Sequence, residues 1–122
     1  MKIRIKGNSL RMRLSKSEVA KFKNDGLILE QTHALGGVFN YTLLKSAETE
    51  FLQATWTGSG FEVAVPEWQA QQWTDSEEVG FQHIQILPDG TNLFLLVEKD
   101  FVCIDNTFED QSDNYPNPNA VC

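Results

Sequence analysis

The 122-residue chain carries 41% apolar and 11% aromatic residues with a net charge of −7, a composition that suits one globular domain and excludes wholesale disorder. The charge opposes general nucleic-acid binding, which rests on neutralised phosphates, and no run approaches the roughly 20 apolar residues that span a bilayer. The charge is also segregated: residues 1–23 hold eight of the ten basic residues against Glu18 alone, about +7, whereas residues 24–122 hold only Lys45 and Lys99 against sixteen acids, about −14.

The opening MKIRIKGNSLRMRL has no apolar h-region of a secretory signal, so a cytoplasmic location is expected. Ile3 and Ile5 alternate with Lys2, Arg4 and Lys6, the period of a half-buried strand. Gly7-Asn8-Ser9 is turn chemistry, after which Leu10, Met12 and Leu14 resume the alternation around Arg11 and Arg13. Ser15-Lys16-Ser17-Glu18 reads as a capping box opening a short helix. Val19 and Phe22 form its inward stripe, and Gly26 ends it. Strands are expected near 27–34 and 38–45, joined across Gly36-Gly37. Further strands follow near 50–57 and 61–65, turned at Gly58-Ser59-Gly60. Pro66 suits the first turn of a second helix, with Trp68 and Trp73 at the edge of the core. Strands near 79–87 and 92–98 bracket Pro88-Asp89-Gly90.

The two halves share one pattern, and repeats are sought before other signals. At an offset of about 51 residues Gly7 falls on Gly58, Leu10 on Phe61, Met12 on Val63, Leu14 on Val65 and Phe22 on Trp73. One extra residue then brings Leu27 onto Val79, Leu29 onto Phe81 and Ala34 onto Ile86, and residues 40–44 onto 92–96. Shared secondary structure alone would also produce this match. The expected fold is α+β: an antiparallel curved sheet or barrel of about eight strands, two short helices closing it, and a ββαββ duplication. It forms a single domain over 1–122, with pseudo-repeats 1–49 and 50–102 and an acidic, Pro- and Asn-rich C-terminal arm over 103–122.

Alternation places Lys2, Arg4 and Lys6 on one side of the first strand, and Arg11 and Arg13 on one side of the second. Folded at Gly7–Ser9, the two strands put five cations on a single surface. Like charges across strands are mildly destabilising, so the cluster calls for counter-charge. That counter-charge is either internal, from Glu98, Asp100 or the acidic arm, or external, from a small anion or an acidic partner. Arginine suits bidentate anion contacts.

The arm contains Asn-Tyr-Pro-Asn-Pro-Asn, which continues neither a helix nor a central strand; Phe108 and Tyr115 are expected to pin it down. Cys103 and Cys122 read as two unlinked thiols, with a disulfide or a zinc site completed by His33 or His83 as alternatives. Asp105, Glu109, Asp110 and Asp113 lack the order and the glycine of a calcium loop. His33 and His83 read as strand residues. No nucleophile elbow, P-loop, zinc-protease or dinucleotide motif is present. The first strand also lacks the E-x-E-x-K pattern of a triphosphate-processing tunnel enzyme. No cofactor and no metal ligand set is assigned.

The segments MKIRIKGNSLRMRLSKSEV, LLVEKDFVC (95–103) and EDQSDNYPNPNA (109–120) together resemble a family of small uncharacterised bacterial proteins near this length. The resemblance spans essentially the whole chain. It implies a stand-alone bacterial domain and carries over no catalytic or binding residue. The function expected first is a non-enzymatic binding module that docks an acidic protein or small anion on Lys2, Arg4, Lys6, Arg11 and Arg13. The alternatives are a metal-dependent or phosphate-ester enzyme using the arm's carboxylates, and a homo-oligomer in which one molecule's arm meets another's hairpin.

Overall fold

The structure, a computed structural model, describes residues 1–101 and 112–116. They form β1 (Lys2–Ile5), β2 (Ser9–Leu14), α1 (Lys16–Asp25), β3 (Leu27–Ala34), β4 (Gly37–Ser46), β5 (Gln53–Trp56), β6 (Gly60–Pro66), α2 (Glu67–Thr74), β7 (Gly80–Ile86) and β8 (Asn92–Lys99). The α+β class and the strand–strand–helix–strand–strand order of each half follow the sequence closely. β5 begins three residues later than expected, because 47–52 is an irregular loop that buries Leu52 and leaves Phe51 exposed.

The strands make two four-stranded sheets. Sheet A has the order β1-β2-β8-β7 and sheet B the order β3-β4-β6-β5. All four hairpins are antiparallel, but β2 pairs with β8, and β4 with β6, in parallel. The expected all-antiparallel sheet or barrel is therefore corrected: both sheets are mixed and neither closes. Each sheet takes one hairpin from each half of the chain. The inner strands β2 and β8 both run away from their hairpin turns, and the two turns lie at the same end of the sheet, so the strands meet in parallel.

Where a barrel would continue its ladder, side chains bridge the sheets instead. The Gln85 amide on β7 accepts from Ala54 N at 2.8 Å and donates to Ala54 O at 3.2 Å on β5. At the other edge the Met1 amine meets Glu30 of β3 at 2.9 Å, and the Tyr41 hydroxyl donates to Met1 O at 3.1 Å.

The core is built by the inward stripes of every element: Leu10, Met12 and Leu14 on β2, Val63 and Val65 on β6, Leu43 on β4, and Leu95 and Val97 on β8. The helices seal one end with Val19, Phe22, Ala70 and Trp73. Trp73 is fully buried, set edge-on to Phe22 and Phe81, and its indole donates to Val79 O at 3.2 Å. The two tryptophans do not share the core's edge. Five residues separate them, turning Trp68 roughly 140° around α2 and out to solvent.

Gly26 closes α1 at φ 71°, where its N–H reaches Phe22 O at 2.8 Å. Gly60 has a steric reason: a Cβ there would lie 1.6 Å from the Asn40 carbonyl oxygen across the β4–β6 ladder.

Ladder registers relate the halves differently from the sequence pattern. Leu43 lies opposite Val63, and Val97 opposite Met12. With Met12 answering Val63, Leu43 answers Val97, not Leu95. By the same route Ile28, opposite Leu43, answers Phe81, opposite Val97. Leu29, matched to Phe81 by the sequence, points to solvent while Phe81 is buried.

Candidate functional site

The β1–β2 register sets Lys2 opposite Arg13 and Arg4 opposite Arg11, with Ile3 opposite Met12 between them and Ile5 opposite Leu10 beyond. Strict alternation thus presents the two cationic pairs on one face and sends Leu10, Met12 and Leu14 into the core. Lys6 lies just past β1, exposed, where its N–H donates to Ser9 O at 3.2 Å and tightens the turn.

Counter-charge comes from β8 and the residue after it. Glu98 lies beside Arg13 in the parallel ladder. Its Oε1 accepts from Arg13 Nε at 2.6 Å and stands 3.5 Å from Arg11 Nε. Asp100 Oδ2 is 2.9 Å from Lys2 Nζ. Both carboxylates sit low in the surface, 17% and 8% exposed, with the cations spread over them. The internal partners named from the sequence therefore serve Lys2, Arg11 and Arg13. Arg4 and Lys6 have no carboxylate partner among the described residues. Counting these five cations against Glu98 and Asp100 alone, among the described residues, gives about +3.

The same face continues across sheet A. Arg11 is followed by Leu96 and Gln82, and Ser9 by Phe94 and Ile84, on β2, β8 and β7 in turn. Sequence reasoning passed over these apolar neighbours. The signal was present in Phe94 and Leu96, outward on a strand whose inward Leu93, Leu95 and Val97 are also apolar, and in Ile84 and Ile86 on the outward side of β7.

The arm is docked where it is described. Asp113 O accepts from Lys16 N at 3.0 Å, Oδ1 accepts from Ser17 N at 3.2 Å, and Oδ2 from the Ser17 hydroxyl. Asp113 thus caps α1 from 96 residues away. Hydrogen bonds from the Ser15 and Ser17 hydroxyls hold its carboxyl below the usual carboxylate range. Glu18 completes the helix start by accepting from Ser15 N at 2.9 Å and pairing with the Met1 amine. Tyr115 N donates to Asp100 O at 2.8 Å, and the Tyr115 ring packs 5.6 Å from that of Phe101.

Lys99 is buried with Nζ near the Trp73 and Tyr115 rings, donating to Ser76 O at 2.7 Å. Burial pushes its ammonium below the ordinary lysine value. The His83 ring stacks on Phe51 at 5.0 Å, and His33 is exposed near the end of β3. No three His, Cys, Asp or Glu side chains among the described residues gather to hold a metal ion. Cys103, Cys122, Asp105, Phe108, Glu109 and Asp110, with the thiol, zinc and calcium readings attached to them, lie outside the described residues. No helix among the described residues is long and apolar enough to cross a membrane.

A family model described as a family of unknown function (DUF7009) matches residues 1–119. The chain belongs to that family. Nearly the whole DUF7009 chain is covered, as the sequence resemblance implied, and the family brings no assigned activity to the cationic face. No curated protein matches this DUF7009 member, and no solved structure does.

Proposed function

We propose that this DUF7009 protein is a non-enzymatic binding module whose cationic face, centred on Arg4, Arg11 and Lys6 with Lys2 and Arg13 at its border, docks an acidic partner. The observation that carries this reading is the uncompensated charge: among the described residues Glu98 and Asp100 answer three cations, and Arg4 and Lys6 have no carboxylate partner. Such a patch on a protein of net charge −7 steers an acidic partner to one side of the molecule and repels it from the rest. We keep a bacterial setting, on the strength of the sequence resemblance.

The test is binding of fluorescein-labelled hexaglutamate by anisotropy. Wild-type protein should bind it at low ionic strength and lose it as salt rises past the roughly 10 Å screening length of 0.1 M. The double variant Arg4→Glu, Lys6→Glu should lose binding with an unchanged melting curve, because neither side chain has an internal partner among the described residues. Binding that ignores the substitutions, or no binding by the wild type, overturns the reading.

We also infer that the chain is a duplicated ββαββ unit. Three pairs of backbone hydrogen bonds recur in the two halves and support this. Lys6 N to Ser9 O matches Thr57 N to Gly60 O, Phe94 N to Asn8 O matches Asn40 N to Ser59 O, and Lys99 N to Val79 O matches Lys45 N to Gly26 O.

A further inference from the structure

We propose that the outer face of sheet A receives an extended acidic peptide, its carboxylates over Arg4 and Arg11 and a bulky apolar side chain in the groove between Phe94, Leu96 and Ile84. This deepens the docking reading above and rests on it.

The outward face of a sheet that faces water is ordinarily polar. Here Phe94 is 49% exposed, Ile84 50% and Ile86 74%, side by side on β8 and β7. Phe94 and Ile84, with Leu96, Gln82 and Arg11, line a concavity of about 740 Å³, within the roughly 300–1,000 Å³ of ordinary ligand sites. One wall is a guanidinium and the floor is aromatic and aliphatic, so the occupant must be anionic at one end and apolar at the other.

Charge and span decide what kind of occupant fits. A second copy laid face to face on this surface would set like charge against like, which repulsion disfavours. A small anion would use the arginines and leave Phe94 and Ile84 in water. From β1 to β7 the face crosses three strand spacings, roughly 14 Å at about 4.8 Å each. An extended segment of about four or five residues covers that distance, acidic over β1 and β2 and apolar over β8 and β7.

Anisotropy with two labelled probes separates the claims: hexaglutamate, and a peptide of three glutamates followed by Leu-Phe-Leu. The amphipathic peptide should bind the wild type about tenfold more tightly or better, as expected when one large side chain is buried. Phe94→Ser with Ile84→Ser should reduce it to the affinity of hexaglutamate and leave hexaglutamate itself unchanged. Arg4→Glu should weaken both probes. Equal affinity of the wild type for the two peptides overturns the peptide proposal while the anion-docking reading stands. If neither probe binds, or Arg4→Glu changes neither, both fall together.

Discussion

Glu98 shares a single oxygen between Arg13 and Arg11, so one carboxylate both pins the hairpin to β8 and sets the charge of the face. Replacing it with Gln should take the face from about +3 to about +4 and release two guanidiniums. The pair is partly solvated on the arginine side, so the stability cost should be about 1 kcal/mol or less by urea titration. Hexaglutamate affinity should rise at low salt. Unchanged affinity would mean that the probe does not meet these arginines. Asp113 gives a second residue-level expectation. Its carboxyl is depressed in the fold by the serine hydroxyls, so the unfolded chain takes up the proton first as pH falls. The stabilisation is whole above the ordinary aspartate value near 3.8 and is lost as pH falls through the lower native value. Asp113→Ala should lower the melting temperature at pH 7 and flatten that acid limb. Melts of both proteins between pH 2 and 7 check the sign.

Elements depend on a few positions where backbone meets backbone. Gly60→Ala drives a methyl into the Asn40 carbonyl, and the β4–β6 ladder has no flexible side chain there to move aside. We expect loss of cooperative unfolding or a large drop in midpoint, whereas Gly37→Ala, with nothing within 4 Å of its Cβ, should be tolerated. A variant at Gly60 that melts like wild type would contradict the register. The bridge between β7 and β5 is equally specific. Gln85→Leu keeps the bulk but strands the Ala54 N–H and C=O that the amide satisfies. Leaving partly buried backbone groups unpaired costs roughly 1–3 kcal/mol, readable as a shift in urea midpoint.

On the scale of the whole molecule the halves are interleaved, since sheet A holds β1–β2 from one and β7–β8 from the other. Neither fragment 1–49 nor fragment 50–122 can complete a sheet or cover the Phe22–Trp73 contact alone. Each should be unfolded when purified, and an equimolar mixture should recover the circular dichroism of the intact chain. A cooperative melt from either fragment by itself would mean that the hairpins do not need their partners from the other half. If the halves are duplicates, as proposed above, two copies of one half should assemble the same way and appear as a dimer by sedimentation.

The residues themselves determined whatever depends on near neighbours. Alternation at period 2 put Lys2, Arg4, Arg11 and Arg13 on one face, glycines marked the turns, and the Val19–Phe22 spacing marked the inner side of α1. These follow from backbone geometry within a few bonds. The match between halves shows where local information stops. Aligning Leu43 with Leu95 instead of Val97 is a two-residue slip, which leaves every side chain on its own face and is invisible to a period-2 pattern. Aligning Leu29 with Phe81 is a one-residue slip that exchanges inside for outside, and only burial exposed it. Tertiary structure alone decided that β2 and β8 run parallel, that Glu98 sits under two arginines, that Asp113 caps a helix begun at Lys16, and that Phe94 and Ile84 extend the cationic face into a groove. Each joins residues more than eighty positions apart, or neighbours whose exposure depends on what covers the sheet. Local sequence propensity holds no record of such encounters, because they arise from packing the two halves together.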